Sequence, residues 1–174
     1  VEREAGLKLR VLSTEEEAYY GYLGAVNSLD ISDAFIVDIG GGSTEVTAVR
    51  GRAFLNSFSA PAGAIRFTER FVRSDPISNA DFKALESAAA SLFTDIEWLS
   101  RTEGTSLIGI GGTIRTLVDI DQKANNYSLD RVHGYTLSRE QLDAIIEMLR
   151  GMNLQQREQV PGLSRDRADI ILAG

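Results

Sequence analysis

The sequence predicts an α/β domain on a mixed sheet: an antiparallel three-strand meander followed by alternating helices and strands. Three observations predict it. The apolar run 34–39 breaks at Gly40, Gly41 and Gly42 into the alternating stretch 44–49, and Arg50, Gly51 and Arg52 turn that into 53–59. These connections are too short for parallel crossovers, so the three strands must be antiparallel neighbours. Further on, the apolar run 106–110 ends at Gly111 and Gly112, where Ile114, Leu117 and Val118 begin helical spacing.

The remaining elements follow in order. Apolar and basic residues alternate over 7–12, which predicts a short strand. Ser13 and Thr14, three glutamates, and then Ala18, Tyr19, Tyr20 and Leu23 give a hydroxyl cap, an acidic first turn and an apolar stripe, which predict a helix. The polar stretch 27–32 reads as a linker. After Pro61 and Gly63, the residues Ile65, Phe67, Phe71 and Val72 predict a short helix. A longer one is expected from a cap at Ser78 or Asn79 through Phe82, Leu85, Ala89, Leu92, Phe93, Ile96 and Leu99. Residues 125–135 read as a loop, and Ser138 with Gln141 forms a capping box for a helix that Gly151 stops. Pro161 and Gly162 introduce a last helix, which the closing apolar run through Gly174 leaves truncated. With Val1 rather than Met at its start, the chain reads as a piece of a larger protein.

At 174 residues and 43% apolar, the chain is long enough for one core, and no internal repeat or low-complexity tract interrupts it. The formal charge of −7 argues against a broad grip on nucleic acid, which needs clustered Lys and Arg. No stretch approaches the roughly 20 apolar residues of a membrane span. The absence of cysteine removes thiolate metal sites and permits a reducing cytoplasm, where we expect the protein. The single histidine, His133, lacks companions at ligand spacing and is assigned a structural or surface role.

A phosphate ligand on so acidic a chain must be held other than by a basic surface, and backbone N–H groups assisted by a divalent cation can do so. Asp38, Gly40, Gly41, Gly42, Ser43 and Glu45 supply the parts: a turn without Cβ atoms whose amides can converge on phosphate oxygens, a hydroxyl donor, and two flanking carboxylates suited to Mg²⁺ or another divalent cation. By spacing alone, a solvated glycine hairpin accounts for the run equally well. A P-loop is excluded, since Glu45 and strand alternation follow where lysine and a helix are required. The second glycine site carries Ile114 where a dinucleotide fingerprint needs glycine; Gly112 and Thr113 at a helix start can approach phosphate, or merely let helix and strand pack closely. Glu17, three residues after Thr14, fits a capping box, or a general base if the fold brings it to the phosphate.

These stretches resemble a known family. Val11-Leu12-Ser13-Thr14-Glu15-Glu16-Glu17-Ala18, Val37-Asp38-Ile39-Gly40-Gly41-Gly42-Ser43-Thr44-Glu45, Gly109-Ile110-Gly111-Gly112-Thr113-Ile114 and Pro161-Gly162-Leu163 are similar to the exopolyphosphatases and guanosine pentaphosphate phosphohydrolases of the actin, sugar-kinase and heat-shock-chaperone superfamily. The resemblance implies an actin-like, ribonuclease H-like domain. It places the catalytic glutamate at Glu17, phosphate contacts at Gly40, Gly41, Gly42 and Ser43, and divalent-metal work at Asp38 and Glu45. It also implies a first domain with its own phosphate loop, for which this chain has no second run. Residues 1–28 are then the strand and helix joining to that domain, and 29–174 the second actin-like domain. The expected partners are polyphosphate or guanosine pentaphosphate and the missing domain, without membrane or nucleic acid; a homodimer is compatible with the sequence. The isolated piece is expected to be weak or inactive. Rival readings are a kinase or ATPase of the same superfamily and a noncatalytic sensor of guanosine tetraphosphate or polyphosphate.

Overall fold

Glycine turns set the sheet. In the computed structural model, which describes residues 2–100, 104–127 and 131–174, strands β1 (Ala34–Ile39), β2 (Thr44–Arg50) and β3 (Ala53–Ala60) form the expected antiparallel meander. Strand β4 (Ser106–Ile110) returns parallel to β1, giving the order β3-β2-β1-β4. The β2–β3 turn carries positive φ at Gly51 (53°) and at Arg52 (65°), the pair of left-handed residues that matches the twist of a tight hairpin. Arg52 tolerates this because its surroundings hold it: its N–H donates to Ser32 O (2.9 Å), its carbonyl accepts from the Tyr22 hydroxyl (2.7 Å), and its guanidinium donates to Val26 O and Ile31 O.

The helices are α1 (Glu2–Ala5), α2 (Thr14–Ser28), α3 (Ala64–Phe71), α4 (Asn79–Ser91), α5 (Gly111–Ala124), α6 (Arg139–Arg150) and α7 (Leu154–Arg157). Helix α2 lays Tyr22, Ala25 and Val26 on Ala34, Ile36 and Val49 of the sheet, displacing water from one continuous apolar patch. A second cluster joins Ala60, Ala62 and Phe67 to Leu85 of α4. A third joins Ile120 of α5 and Ile145 and Leu149 of α6 to the C-terminal segment, through Val160, Leu163, Ala168 and Ile171.

Three expectations are corrected, and one element was not foreseen. Residues 7–12 form no strand. A strand needs a hydrogen-bonding neighbour, and none of the described residues pairs with them; Val11 is 94% exposed. The four-residue α1 before them was not anticipated. The long helix ends at Ser91 and gives way to turns and a short 3-10 helix, Glu97–Ser100. Here the Ser91 hydroxyl donates to Ala88 O and that of Thr94 to Ala90 O, bonds that compete with the helical ladder. The expected last helix is a 3-10 turn, Arg165–Arg167, followed by hydrogen-bonded turns. The α6 capping box is present as expected. Of the expected loop 125–135, residues 128–130 lie outside the described residues. Among the described residues no helix is long and apolar enough to cross a membrane.

Candidate active site

Because β1 and β4 are parallel and in register from Ala34↔Ser106 to Asp38↔Ile110, their carboxyl ends lie side by side. The loops leaving those ends are the two glycine stretches, so topology alone brings them to one edge of the sheet, where α/β folds place their ligands. On the face covered by α2, β1 presents Ala34, Ile36 and Asp38, and β2 presents Val49, Thr47 and Glu45. That face is apolar at one end and acidic at the other.

Glu17 reaches the acidic end. The capping box of α2 is formed by Ser13 and Glu16, whose carboxylate accepts the Ser13 N–H at 2.8 Å and pairs with Arg10 at 2.7 Å. The capping alternative for Glu17 is thus corrected: the frame starts one residue earlier, and Glu17 is left to project toward the sheet. It lines a narrow crevice with Gly21 one turn on, and with Ile36, Asp38, Glu45, Thr47 and Ile110. Asp38 and Glu45 are cross-strand partners. Partial loss of hydration, then the charges of Glu45 and Asp38, push the Glu17 carboxyl above its ordinary value. Burial, then Glu45, pushes Asp38 up as well, with Arg115 opposing. Glu45 is 3% exposed and accepts the Ser59 hydroxyl at 2.8 Å.

The turn itself is tight. Gly40 N–H donates to Ser43 O at 2.9 Å, so this amide is engaged within the turn, while no described residue accepts from the N–H groups of Gly41, Gly42 or Ser43. At the other glycine stretch, Gly111 has φ +88°, and a Cβ there would stand 2.5 Å from Asp38 Oδ1. The start of α5 is therefore pressed against Asp38.

A sequence profile of the Ppx/GppA phosphatase family matches residues 1–174. The chain belongs to that family. Exopolyphosphatase 2 of Mycobacterium tuberculosis is 32% identical over 176 residues, which cover 97% of this chain and 54% of that protein. A bifunctional 3-dehydroquinate synthase/phosphatase of Fusobacterium nucleatum is 28% identical over 98% of this chain and 26% of its own length. The crystal structure of the Aquifex aeolicus Ppx/GppA family member superposes with a TM-score of 0.82 at 30% identity, covering 99% of this chain and 56% of that one. An exopolyphosphatase from Cytophaga hutchinsonii, at 23% identity and TM-score 0.84, shares the fold. The chain thus spans about half or less of the length of these relatives.

Within this Ppx/GppA chain the structure gathers Glu17, Asp38 and Glu45, with the glycine turn and the start of α5 on the same sheet edge. Thr113, named with Gly112 as a phosphate contact, has its side chain turned inward at 2% exposure. Three residues escaped the sequence reading. Gly111 carries the left-handed turn against Asp38; its place as the first glycine after a strand was the available signal. Arg167, whose guanidinium lies where a Cβ of Gly112 would be, and Gly63, packed on Gly41, act through tertiary contacts that leave no local signal. Arg115 donates to Gly111 O at 3.4 Å. Arg66 is an exposed residue of α3, and His133 meets Ser28 O at 3.1 Å on the surface.

Among the described residues no three His, Cys, Asp or Glu side chains are disposed to enclose a metal ion alone. Asp38 and Glu45 still fit a divalent cation of the kind that takes one or two carboxylates and completes its shell with water and substrate phosphate. Their mutual repulsion is the charge excess such an ion relieves.

Proposed function

We propose that the full-length protein hydrolyses terminal phosphoanhydride bonds of inorganic polyphosphate, guanosine pentaphosphate or both, releasing orthophosphate. The observation that carries this reading is the meeting of Glu17, its carboxyl raised above its ordinary value, with Asp38 and Glu45 at the sheet edge that holds the glycine turn. The name of the mycobacterial relative, an exopolyphosphatase, agrees with it.

The chemistry follows from these groups. The N–H groups of Gly41, Gly42 and Ser43, with the Ser43 hydroxyl, bind oxygens of the outermost phosphate, and Gly40 keeps the turn narrow. The N–H groups at the start of α5, Gly112 and Thr113 among them, face the same edge, with Arg167 beside them. Thr113 contributes main chain only. Water attacks the outermost phosphorus and gives its proton to Glu17; the new P–O bond forms as the bridging P–O bond breaks, and the shortened chain leaves with a phosphate terminus. Asp38 and Glu45 would hold a divalent cation such as Mg²⁺, which would supply charge neutralisation for the bound phosphate. The isolated chain is expected to be weak or inactive, because the relatives are about twice its length or more and a first domain would close the other side of the cleft.

The deciding experiment is phosphate release by the full-length protein with Mg²⁺ on polyphosphate and guanosine pentaphosphate side by side. Release from at least one is expected. Saturable binding of either without release would replace the enzyme by a sensor, and ATP-dependent phosphorylation of an acceptor would replace it by a kinase.

A further inference from the structure

Residues 60–66 pass behind the glycine turn and are stitched to it. The Thr44 hydroxyl donates to Ala62 O at 2.6 Å, Ala64 N–H to Gly40 O at 2.9 Å, and Ile65 and Arg66 N–H to Gly41 O at 3.0 and 3.3 Å. The first turn of α3 is thereby capped by main-chain carbonyls, since its N-cap, Gly63, has no side chain to do so. The turn's peptides are trans, and in a trans peptide the carbonyl and the following N–H point in opposite directions. With the carbonyls of Gly40 and Gly41 held toward α3, the N–H groups of Gly41 and Gly42 are held away from it. Gly63 makes this approach feasible: a Cβ there would overlap the carbonyl group of Gly41 and stand 2.5 Å from Gly42 N. Its backbone, φ −97° and ψ 167°, is ordinary extended chain, so contact rather than conformation demands glycine.

We propose that Gly63 and the first turn of α3 are a positioning device for the anion-binding amides, fixing the peptide planes of Gly40–Gly41 and Gly41–Gly42 so that both N–H groups serve one phosphate. Gly63 touches no substrate and acts through Gly41. The inference rests on the phosphate reading of the glycine turn.

Two substitutions in the full-length protein test it. Gly63→Ala forces Gly41 aside. Ala64→Pro removes the N–H that holds Gly40 O, at a first helical position preceded by extended chain, where proline is accepted. Tripolyphosphate affinity with Mg²⁺, KM and kcat on polyphosphate, and the melting temperature are compared with wild type and with Gly24→Ala, a helical site with open space around its Cβ. Both variants should weaken tripolyphosphate binding and raise KM about tenfold or more, the scale of one lost charge-assisted hydrogen bond. Gly24→Ala should change neither, and the pH profile of kcat should keep its midpoint in all. Should both variants fail to fold, ¹⁵N-glycine spectra of the wild type decide: the Gly41 and Gly42 amide protons should both shift on adding tripolyphosphate. Folded variants with wild-type affinity, or shifts absent from these two amides, would overturn the proposal. A wild type that neither binds tripolyphosphate nor releases phosphate would instead remove the functional reading beneath it.

Discussion

At the scale of single residues, Glu17 is freed by its neighbour. Glu16 takes the capping role, so Glu17, still open to solvent, can line the crevice without unravelling α2. Replacing Glu17 by Gln in the full-length protein should lower phosphate release by about 10²–10⁴, the usual worth of a general base, while tripolyphosphate binding persists. Undiminished turnover would refute the role. Asp38 offers a test of charge crowding that needs no substrate. Its carboxyl is raised in the folded protein, so the fold holds that proton more tightly than the unfolded chain does. The stabilisation is therefore complete below the ordinary aspartate range and is lost as pH rises through the raised value. In chelator at pH 7, Asp38→Asn should melt a few degrees higher than wild type, the difference closing as pH falls below the carboxylate range. Adding Mg²⁺ should raise the wild-type melting temperature and leave Asp38→Asn unmoved; equal gains in both would remove Asp38 from the cation site.

At the scale of elements, what was legible and what was not divides by the range of the interactions. The meander could be read because its turns are local: Gly51 and the run Gly40–Gly42 declare themselves within a few residues. Capping of α6 by Ser138 was equally local. The α2 cap was left open in sequence because Ser13 and Thr14 both qualify, and only the Arg10–Glu16 pair and the Ser13 bond decide between them. Residues 7–12 have the strand pattern but lack a partner, which no local pattern can report. Of the site, the chemistry of Asp38, Glu45 and the glycines was visible in sequence. The approach of Gly63 to Gly41 and of Arg167 to Gly112 was not, being made across segments separated by tens of residues. The Ser13 cap carries a prediction at this scale. Ser13→Ala should cost about 0.5–2 kcal/mol in urea unfolding, and Thr14→Ala much less. A larger loss for Thr14→Ala than for Ser13→Ala would instead make Thr14 the cap.

At the scale of the molecule, a buried cation joins the apolar cluster of Val160, Leu163, Ala168 and Ile171 in holding the C-terminal segment to the rest. Arg157, 3% exposed, donates from Nε to Ala168 O at 2.8 Å and from an Nη atom to Met152 O at 2.7 Å, and its other Nη lies 3.3 Å from an Asp75 carboxylate oxygen. Asp75 in turn accepts the Leu154 N–H. One guanidinium thus ties the turn before α4, the loop after α6 and the segment that carries Arg167 to the start of α5. Removing it leaves one buried carbonyl, Ala168 O, and one partly buried carbonyl, Met152 O, without their donor, and the cost of such orphans exceeds the modest net worth of the bonds themselves. Arg157→Ala should therefore destabilise by about 1–3 kcal/mol in denaturant unfolding. Asp75→Asn should cost far less, since Asp75 is 45% exposed and its charge is shared with water. If the two substitutions cost the same, the ion pair rather than the carbonyl bonds holds the segment. If neither costs more than an ordinary surface change, the segment is anchored by the apolar cluster of Val160, Leu163, Ala168 and Ile171 alone, and Arg167 owes its place to that packing.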